Sequence, residues 1–419
     1  MTDLSLMPAP AATAAPAAVA PLTTAPAAPA VAPAVVTAAV TAAELYAKLL
    51  ADAPLLIVDV RNPAEFARMR IEGREALDVL NIPYYAFIED EDDAAAPIPT
   101  DREVVVVCAK EGSSEYVAEL LAARGMAVSY LAGGFPAWGN HVDVRDVAAG
   151  AWGKVIQIAR PARGDLSFVV VSDGAAAVID PLRHTAVYHD TIAAAGASLA
   201  VVLDTHVHAD HISGGPALAA ATGAPYHVHA YDAIHPIDML PATIPYTSLD
   251  DGQTFPIGAV TVTAHWFPGH TLGQFNFRLD APDGTSALFT GDGIFLRSFG
   301  RPDLGGKGEA WTPLLYESLT ERLPAIVHPH TLILPAHFSA LDEAGADGVF
   351  SAPYAAVAAT NDALRHRNLA EFTAYVLGHL PVFPPEYVQI KRVNIGLLEA
   401  GEQLADELEL GKNICALSE

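Results

Sequence analysis

The sequence predicts two consecutive domains built from alternating strands and helices, the first around a parallel sheet. Three observations carry that reading. The chain has 419 residues, beyond the length at which one core stops growing. Short apolar runs at Leu55 to Val60 and Val104 to Val107 are followed by a helical stretch from Ser114 to Arg124 that Gly125 closes, the alternation of a βαβ domain. After Gly133-Gly134 and Trp138-Gly139 a second series opens near Trp152, with strands expected at Phe168 to Val171, Ala177 to Ile179 and Leu199 to Leu203.

Residues 1–40 are expected to be a disordered leader of Ala, Pro, Thr and Val, because seven prolines from Pro8 to Pro33 interrupt any helix. No basic residue precedes the apolar stretch, which argues against a secretory signal. Order is expected from Thr41, which forms a capping-box pattern with Glu44 ahead of Leu45, Leu49 and Leu50. The first domain is placed at 41–147, the second at 150–345, and 346–419 is read as its helical extension, with helices at Tyr354 to Arg367 and Leu369 to Leu377. The formal net charge of −26 argues against nucleic acid and anionic membranes as partners. Two cysteines, Cys108 and Cys415, are too few for a disulfide framework, so a cytoplasmic location is expected. A homodimer is kept open, and Cys415 is given no role.

Cys108 ends a strand and precedes a helix, so unpaired backbone N–H groups and the positive dipole end face its sulfur and favour thiolate. The same dipole end would hold a bound persulfide anion. An inert buried cysteine is the plainer alternative. A cysteine phosphatase is excluded, because the arginine needed six positions on is Ser114. Together with Asp59-Val60-Arg61, Leu131-Ala132-Gly133-Gly134 and Ala137-Trp138, this loop resembles the rhodanese family over about residues 41 to 140. The resemblance implies that Cys108 takes sulfane sulfur from thiosulfate or another donor and passes it to a thiol, with Lys110, Gly112, Ser113 and Ser114 as the cradle of the bound persulfide.

Thr205-His206-Val207-His208-Ala209-Asp210-His211 sets four potential ligands within six positions at a strand end, where alternate side chains converge. His270, Asp292 and His337 follow, each beside a strand end marked by Gly or Pro, and Asp180 stands in Val178-Ile179-Asp180-Pro181. The ordered set resembles the metallo-β-lactamase superfamily over about residues 152 to 340 and implies an αββα sandwich with a metal at one edge. His227, His229, His265, His328 and His330 match no motif position and are read as ordinary polar residues.

Two metal arrangements fit those motifs. All seven candidates could hold two zinc ions, as in glyoxalase II-like thioester hydrolases. His206, His270 and Asp292 alone make the two-histidine, one-carboxylate set suited to one ferrous ion and dioxygen. His208, Asp210, His211 and His337 would then orient ligands and water around it. The Gly300-Arg301-Pro302-Asp303 ending resembles persulfide dioxygenases, and a sulfur-carrying domain is a sensible neighbour for one. That resemblance implies oxidation of a glutathione-like persulfide to sulfite and thiol, with Arg297 and Arg301 gripping carboxylates of the thiol carrier. A zinc hydroxyacylglutathione hydrolase type is the alternative.

Overall fold

The parallel sheet of the first domain follows from its apolar runs. In a computed structural model, residues 37–365, 368–380, 382–411 and 413–415 are described. Ala38–Val40 (β1), Leu55–Asp59 (β2), Leu77–Asn81 (β3), Glu103–Val107 (β4) and Val128–Leu131 (β5) form one sheet in the order β1-β5-β4-β2-β3. Side chains alternate across it. Leu55, Ile57, Val105 and Val107 share one core with Tyr46 and Trp138, whereas Leu56, Val58, Val104 and Val106 share another with Cys108 and the helix residues Val117 and Leu121. Thr41 and Glu44 do form the reciprocal capping box of the Ala42–Leu50 helix.

Two boundaries differ from expectation. Ala38–Val40, assigned to the leader, pairs with β5 as a short edge strand with Val40 turned into the core. Residues 1–36 lie outside those described. Asp143–Gly150 (β6), largely assigned to the first domain, pairs antiparallel with Gly153–Arg160 (β7) and so belongs to the second.

The second domain is two six-stranded sheets packed face to face. The first runs β11-β10-β9-β8-β7-β6, adding Asp165–Ser172 (β8), Ala175–Ile179 (β9), Ser198–Leu203 (β10) and Tyr226–His227 (β11). The second runs in sequence order through Thr254–Ile257 (β12), Val260–Trp266 (β13), Phe275–Asp280 (β14), Ser286–Gly291 (β15), Leu332–Pro335 (β16) and Ala352–Pro353 (β17). Phe168 on β8 meets Phe289 on β15 across the sandwich at 5.2 Å between ring centroids. Helices Ala186–Ala194 and Gly215–Thr222 cover the outer face of the first sheet through Tyr188, Ile192 and Leu218. Helices Gly308–Glu317, Tyr354–Thr360 and Leu369–Gly378 cover the second through Leu315, Val357, Phe372 and Val376. The layers are therefore αββα.

The helix expected to run to Arg367 stops at Thr360. Asn361 turns to extended backbone, and its side-chain amide donates to the carbonyls of Phe295 (3.0 Å) and Ser298 (2.8 Å). The two domains share one apolar core in which Tyr46, Trp138 and Phe338 take part. Arg160 crosses between them to the Gly139 carbonyl at 2.7 Å. Among the described residues no helix is long and apolar enough to cross a membrane.

Candidate metal centre and cysteine loop

Every histidine and aspartate of the motif set sits just beyond a strand end, so the sheets themselves bring the ligands together. His206, His208, Asp210 and His211 follow β10, His270 follows β13, Asp292 follows β15 and His337 follows β16. All seven are buried. Their ligand atoms fall into three groups, each within 4.8 Å: His206, His270 and Asp292; Asp165, Asp210, His211 and His337; and Asp180, Asp204 and His208.

The first group is built to present three atoms. Thr205 Oγ1 lies 3.0 Å from His206 Nδ1, and His270 Nδ1 donates to the Arg301 carbonyl at 2.8 Å, so each ring turns Nε2 inward. His337 Nδ1 donates to Asp292 Oδ1 at 2.6 Å, which leaves Asp292 Oδ2 facing His270 Nε2 at 3.4 Å. His206 Nε2, His270 Nε2 and Asp292 Oδ2 are buried without a hydrogen-bond partner. Three buried orphans converging from three strand ends fit a divalent cation, which needs these same atoms deprotonated. Burial, reinforced at His206 by neighbouring His208 and His270, lowers both imidazoles below their ordinary range and keeps them neutral. Gly300 permits the close approach: a Cβ there would meet the Asp292 carbonyl at 2.2 Å and His270 Nδ1 at 2.7 Å.

His208 is directed elsewhere. Its Nε2 lies 3.1 Å from Asp180 Oδ1, and its Nδ1 has no hydrogen-bond partner. Burial opposes its charge, but Asp180, Asp204 and Asp210 outweigh burial and hold it at about 9. Asp180 takes a φ of 51°, a strained value for a non-glycine residue, and its carboxylate also accepts the Thr205 amide at 2.6 Å. It thereby fixes the start of the histidine motif.

Arg297 and Arg301 both have partners within the chain. Arg301 is fully buried, with Nε and Nη2 on Asp303 at 2.6 and 2.8 Å, and its motif contributes to the metal site through the backbone carbonyl on His270. Arg297 is half exposed and paired in a fork with Asp342 at 3.0 and 2.9 Å.

The reading from sequence missed five residues around the centre. Asp165, at the start of β8, joins the second group. Arg163 in the preceding hairpin is buried and reaches the Asp210 carbonyl. From the helical extension, Glu409 accepts the Ile212 amide at 2.7 Å, just after the histidine motif. Asn413 donates to Asp210 Oδ2 at 2.6 Å. Cys415 is buried with its carbonyl on the Arg301 amide at 2.8 Å, and burial, then Asp210 and Asp292, push its thiol well up. No local motif marks them; a pair of arginines in an apolar hairpin, Arg160 and Arg163, was the one available signal.

Cys108 is also buried, at the end of β4, opposite the shared core. Its Sγ accepts the Glu111 amide at 3.1 Å and donates to Ser114 Oγ at 3.2 Å. Gly112 and Ser113 open the 12-residue helix Gly112–Ala123, while Lys110 points to solvent. Glu111, absent from the expected cradle, takes a φ of 135° and accepts the Gly133 amide at 2.9 Å. Arg61 does not reach the sulfur: it forks onto Asp59 and lies over the Phe135 ring at 3.5 Å, and the Phe135 amide donates to the Cys108 carbonyl at 2.8 Å.

Residues 41–141 match the Rhodanese-like domain family and residues 161–337 the Metallo-beta-lactamase superfamily. A hydroxyacylglutathione hydrolase of Fuscovulum blasticum is 36% identical over 148 residues, covering 35% of this chain and 51% of its own length. An uncharacterized protein of Mycobacterium leprae is 33% identical over 154 residues, 32% of this chain and 67% of its own length. The chain thus spans about half to two thirds of these curated relatives. The solved structure of a metallo-beta-lactamase from Staphylococcus aureus subsp. aureus COL shares the fold at a TM-score of 0.50 and 22% identity, covering 61% of this chain and 73% of that one.

Proposed function

Because the chain belongs to the metallo-beta-lactamase superfamily and carries a rhodanese-like domain ahead of the metal domain, we propose that it oxidises a low-molecular-weight persulfide with dioxygen and one water to sulfite, two protons and the thiol, and exchanges sulfane sulfur at Cys108. One observation carries this reading. His206 Nε2, His270 Nε2 and Asp292 Oδ2 form a ligand set with no further histidine in it, while His208 is paired with Asp180. A ferrous ion bound by those three residues would supply the redox chemistry with dioxygen that two histidines and one carboxylate suit. The chain's own part is positional. Thr205 and the Arg301 carbonyl set the imidazole orientations, and His337 holds a proton on Asp292 Oδ1 so that only Oδ2 faces the site.

A cavity of about 290 Å³ lined by Tyr231, Trp311, Lys307 and Lys391 reaches Leu272, two positions beyond His270. Its lining is mostly apolar and sets Lys307 and Lys391 beside one carboxylate, Asp232, a balance of one net positive charge that suits a thiol carrier with carboxylates, such as a glutathione-like molecule. Arg297 is a further cation for such a carboxylate, if that carboxylate displaces Asp342. At the other domain, Cys108 thiolate attacks the outer sulfur of thiosulfate, the S–S bond breaks and sulfite leaves. The Glu111 amide supports the resulting anion, which passes its outer sulfur to a thiolate acceptor and returns Cys108.

The 36% identity to a hydroxyacylglutathione hydrolase and the second buried His/Asp group favour a second reading, zinc-dependent thioester hydrolysis. Metal exchange separates the two. Chain reconstituted anaerobically with iron(II) should turn glutathione persulfide into sulfite in air, and the zinc(II) form should not. S-lactoylglutathione cleavage by the zinc form, with no sulfite from the iron form, would reverse the assignment.

A further inference from the structure

The second buried group has the makings of a metal site. Asp165, Asp210, His211 and His337 bring two carboxylates and two imidazoles within 4.8 Å of one another, all out of solvent. Its atoms are nevertheless engaged in a way those of the first group are not. Asn413 Nδ2 donates to Asp210 Oδ2 at 2.6 Å and lies 3.3 Å from Asp165 Oδ1. Arg163 Nε lies 3.3 Å from Asp165 Oδ2. His337 Nε2 lies 2.8 Å from Asp210 Oδ2, and its Nδ1 serves Asp292. Only Asp210 Oδ1 and His211 Nε2 are without both a hydrogen bond and an ion pair. Asp165 Oδ2, Asp210 Oδ1, His211 Nε2 and His337 Nε2 all lack a hydrogen-bond partner, so this group differs from the first not in open atoms but in the guanidinium and the amide donor set against its two carboxylates.

The guanidinium adds a fixed charge. Arg163 is buried, and it is held by the Glu409 and Gly411 carbonyls on one side and the Asp210 carbonyl on the other. Arginine does not lose its proton in proteins, so a positive charge stands permanently against a carboxylate that a cation would need. A Lys or His there could titrate away; Arg163 cannot.

We propose that Arg163 and Asn413 occupy the place of a second cation and so keep the centre to one metal. The inference rests on the reading of His206, His270 and Asp292 as the metal site and assigns its single occupancy to two residues outside the ligand motifs. They come from distant parts of the chain, one from the β7–β8 hairpin and one from the segment after the last helix, Glu402–Leu408. Closing that segment over the domain is thus what completes the selection.

The test counts metal in the whole chain. Protein stripped with a chelator, equilibrated with excess zinc(II) and desalted should hold about one zinc per chain in the wild type and about two in Asn413→Asp, where an acceptor replaces the donor. Arg163→Gln should move in the same direction. Asn413→Ala, which removes the donor without adding charge, decides the matter where a larger change unfolds the chain, as judged by circular dichroism. Folded variants that stay at about one zinc beside a wild type at about one overturn the roles of Arg163 and Asn413 alone. A wild type at about two contradicts the single-metal reading itself, before any variant is measured.

Discussion

Replacing Glu409 by Gln should loosen the metal loop more than its distance in sequence suggests. Glu409 is buried, with Oε2 accepting from Arg160 at 2.6 Å and Arg183 at 2.8 Å, and Oε1 accepting from the Ile212 amide at 2.7 Å. Gln keeps the volume and one acceptor oxygen but removes the charge. Arg183 retains Glu402 and Asp406. Among the described residues Arg160 retains only Asp165, at 4.0 Å, as a carboxylate partner. Breaking a buried pair by removing one partner costs about 3–5 kcal/mol. The surviving Arg183 partners and the Gln oxygen place the expected loss near the lower end, about 3 kcal/mol. Urea denaturation at neutral pH followed by circular dichroism would measure it. Burial raises the Glu409 carboxyl, but Arg160, Arg163 and Arg183 outweigh burial and hold it well below the usual range. Its contribution is therefore complete above the unfolded value of about 4.3 and is lost as pH falls through the folded value. The gap between wild type and variant should be flat from about pH 6 to 8 and narrow progressively below about pH 4. A loss under about 1 kcal/mol at neutral pH would refute the clamp, because it would equal an exposed pair.

Cys108→Ser should abolish sulfur transfer from thiosulfate to cyanide and leave metal content unchanged, since the loop and the metal group belong to separate domains; equal loss of both would contradict that division. Asp292→Ala should strip most bound metal, as elemental analysis would read, and spare transfer at Cys108. Full metal occupancy in that variant would remove Asp292 from the ligand set. Gly134→Ala should slow sulfur transfer at least about tenfold, because its φ of 61° is unfavourable for alanine and a Cβ would meet the Cys108 carbonyl at 2.7 Å. Wild-type transfer by Gly134→Ala would show that the loop tolerates the shift.

The residues that were legible in the sequence share a property: each lies next to a strand end within a short motif. His206 to His211, His270, Asp292 and His337 could be placed because apolar runs and Gly or Pro flank them. The αββα layering was implied by the resemblance of their order to the metallo-β-lactamase superfamily. What was not legible is long-range. Asp165, Arg163, Glu409 and Asn413 meet the motif residues only through tertiary closure, and neither the Arg160 and Arg163 pair in a hairpin nor a single Asn in a tail carries periodicity to read. Glu111 was hidden for another reason: a φ of 135° is normally given to glycine, so nothing in the residue type announced the turn. Arg301, expected to grip carboxylates of the thiol carrier, forks onto Asp303 with its guanidinium, and its carbonyl positions His270.

The central claim is that a persulfide is oxidised by dioxygen at the His206, His270 and Asp292 group. The most direct measurement is oxygen uptake by anaerobically purified, iron-loaded protein on addition of glutathione persulfide, with sulfite assayed in the same cell. About one dioxygen should disappear for each sulfite formed, and Asp292→Ala should abolish both. Absence of uptake with several persulfides, together with rapid S-lactoylglutathione hydrolysis by the zinc form, would contradict the account.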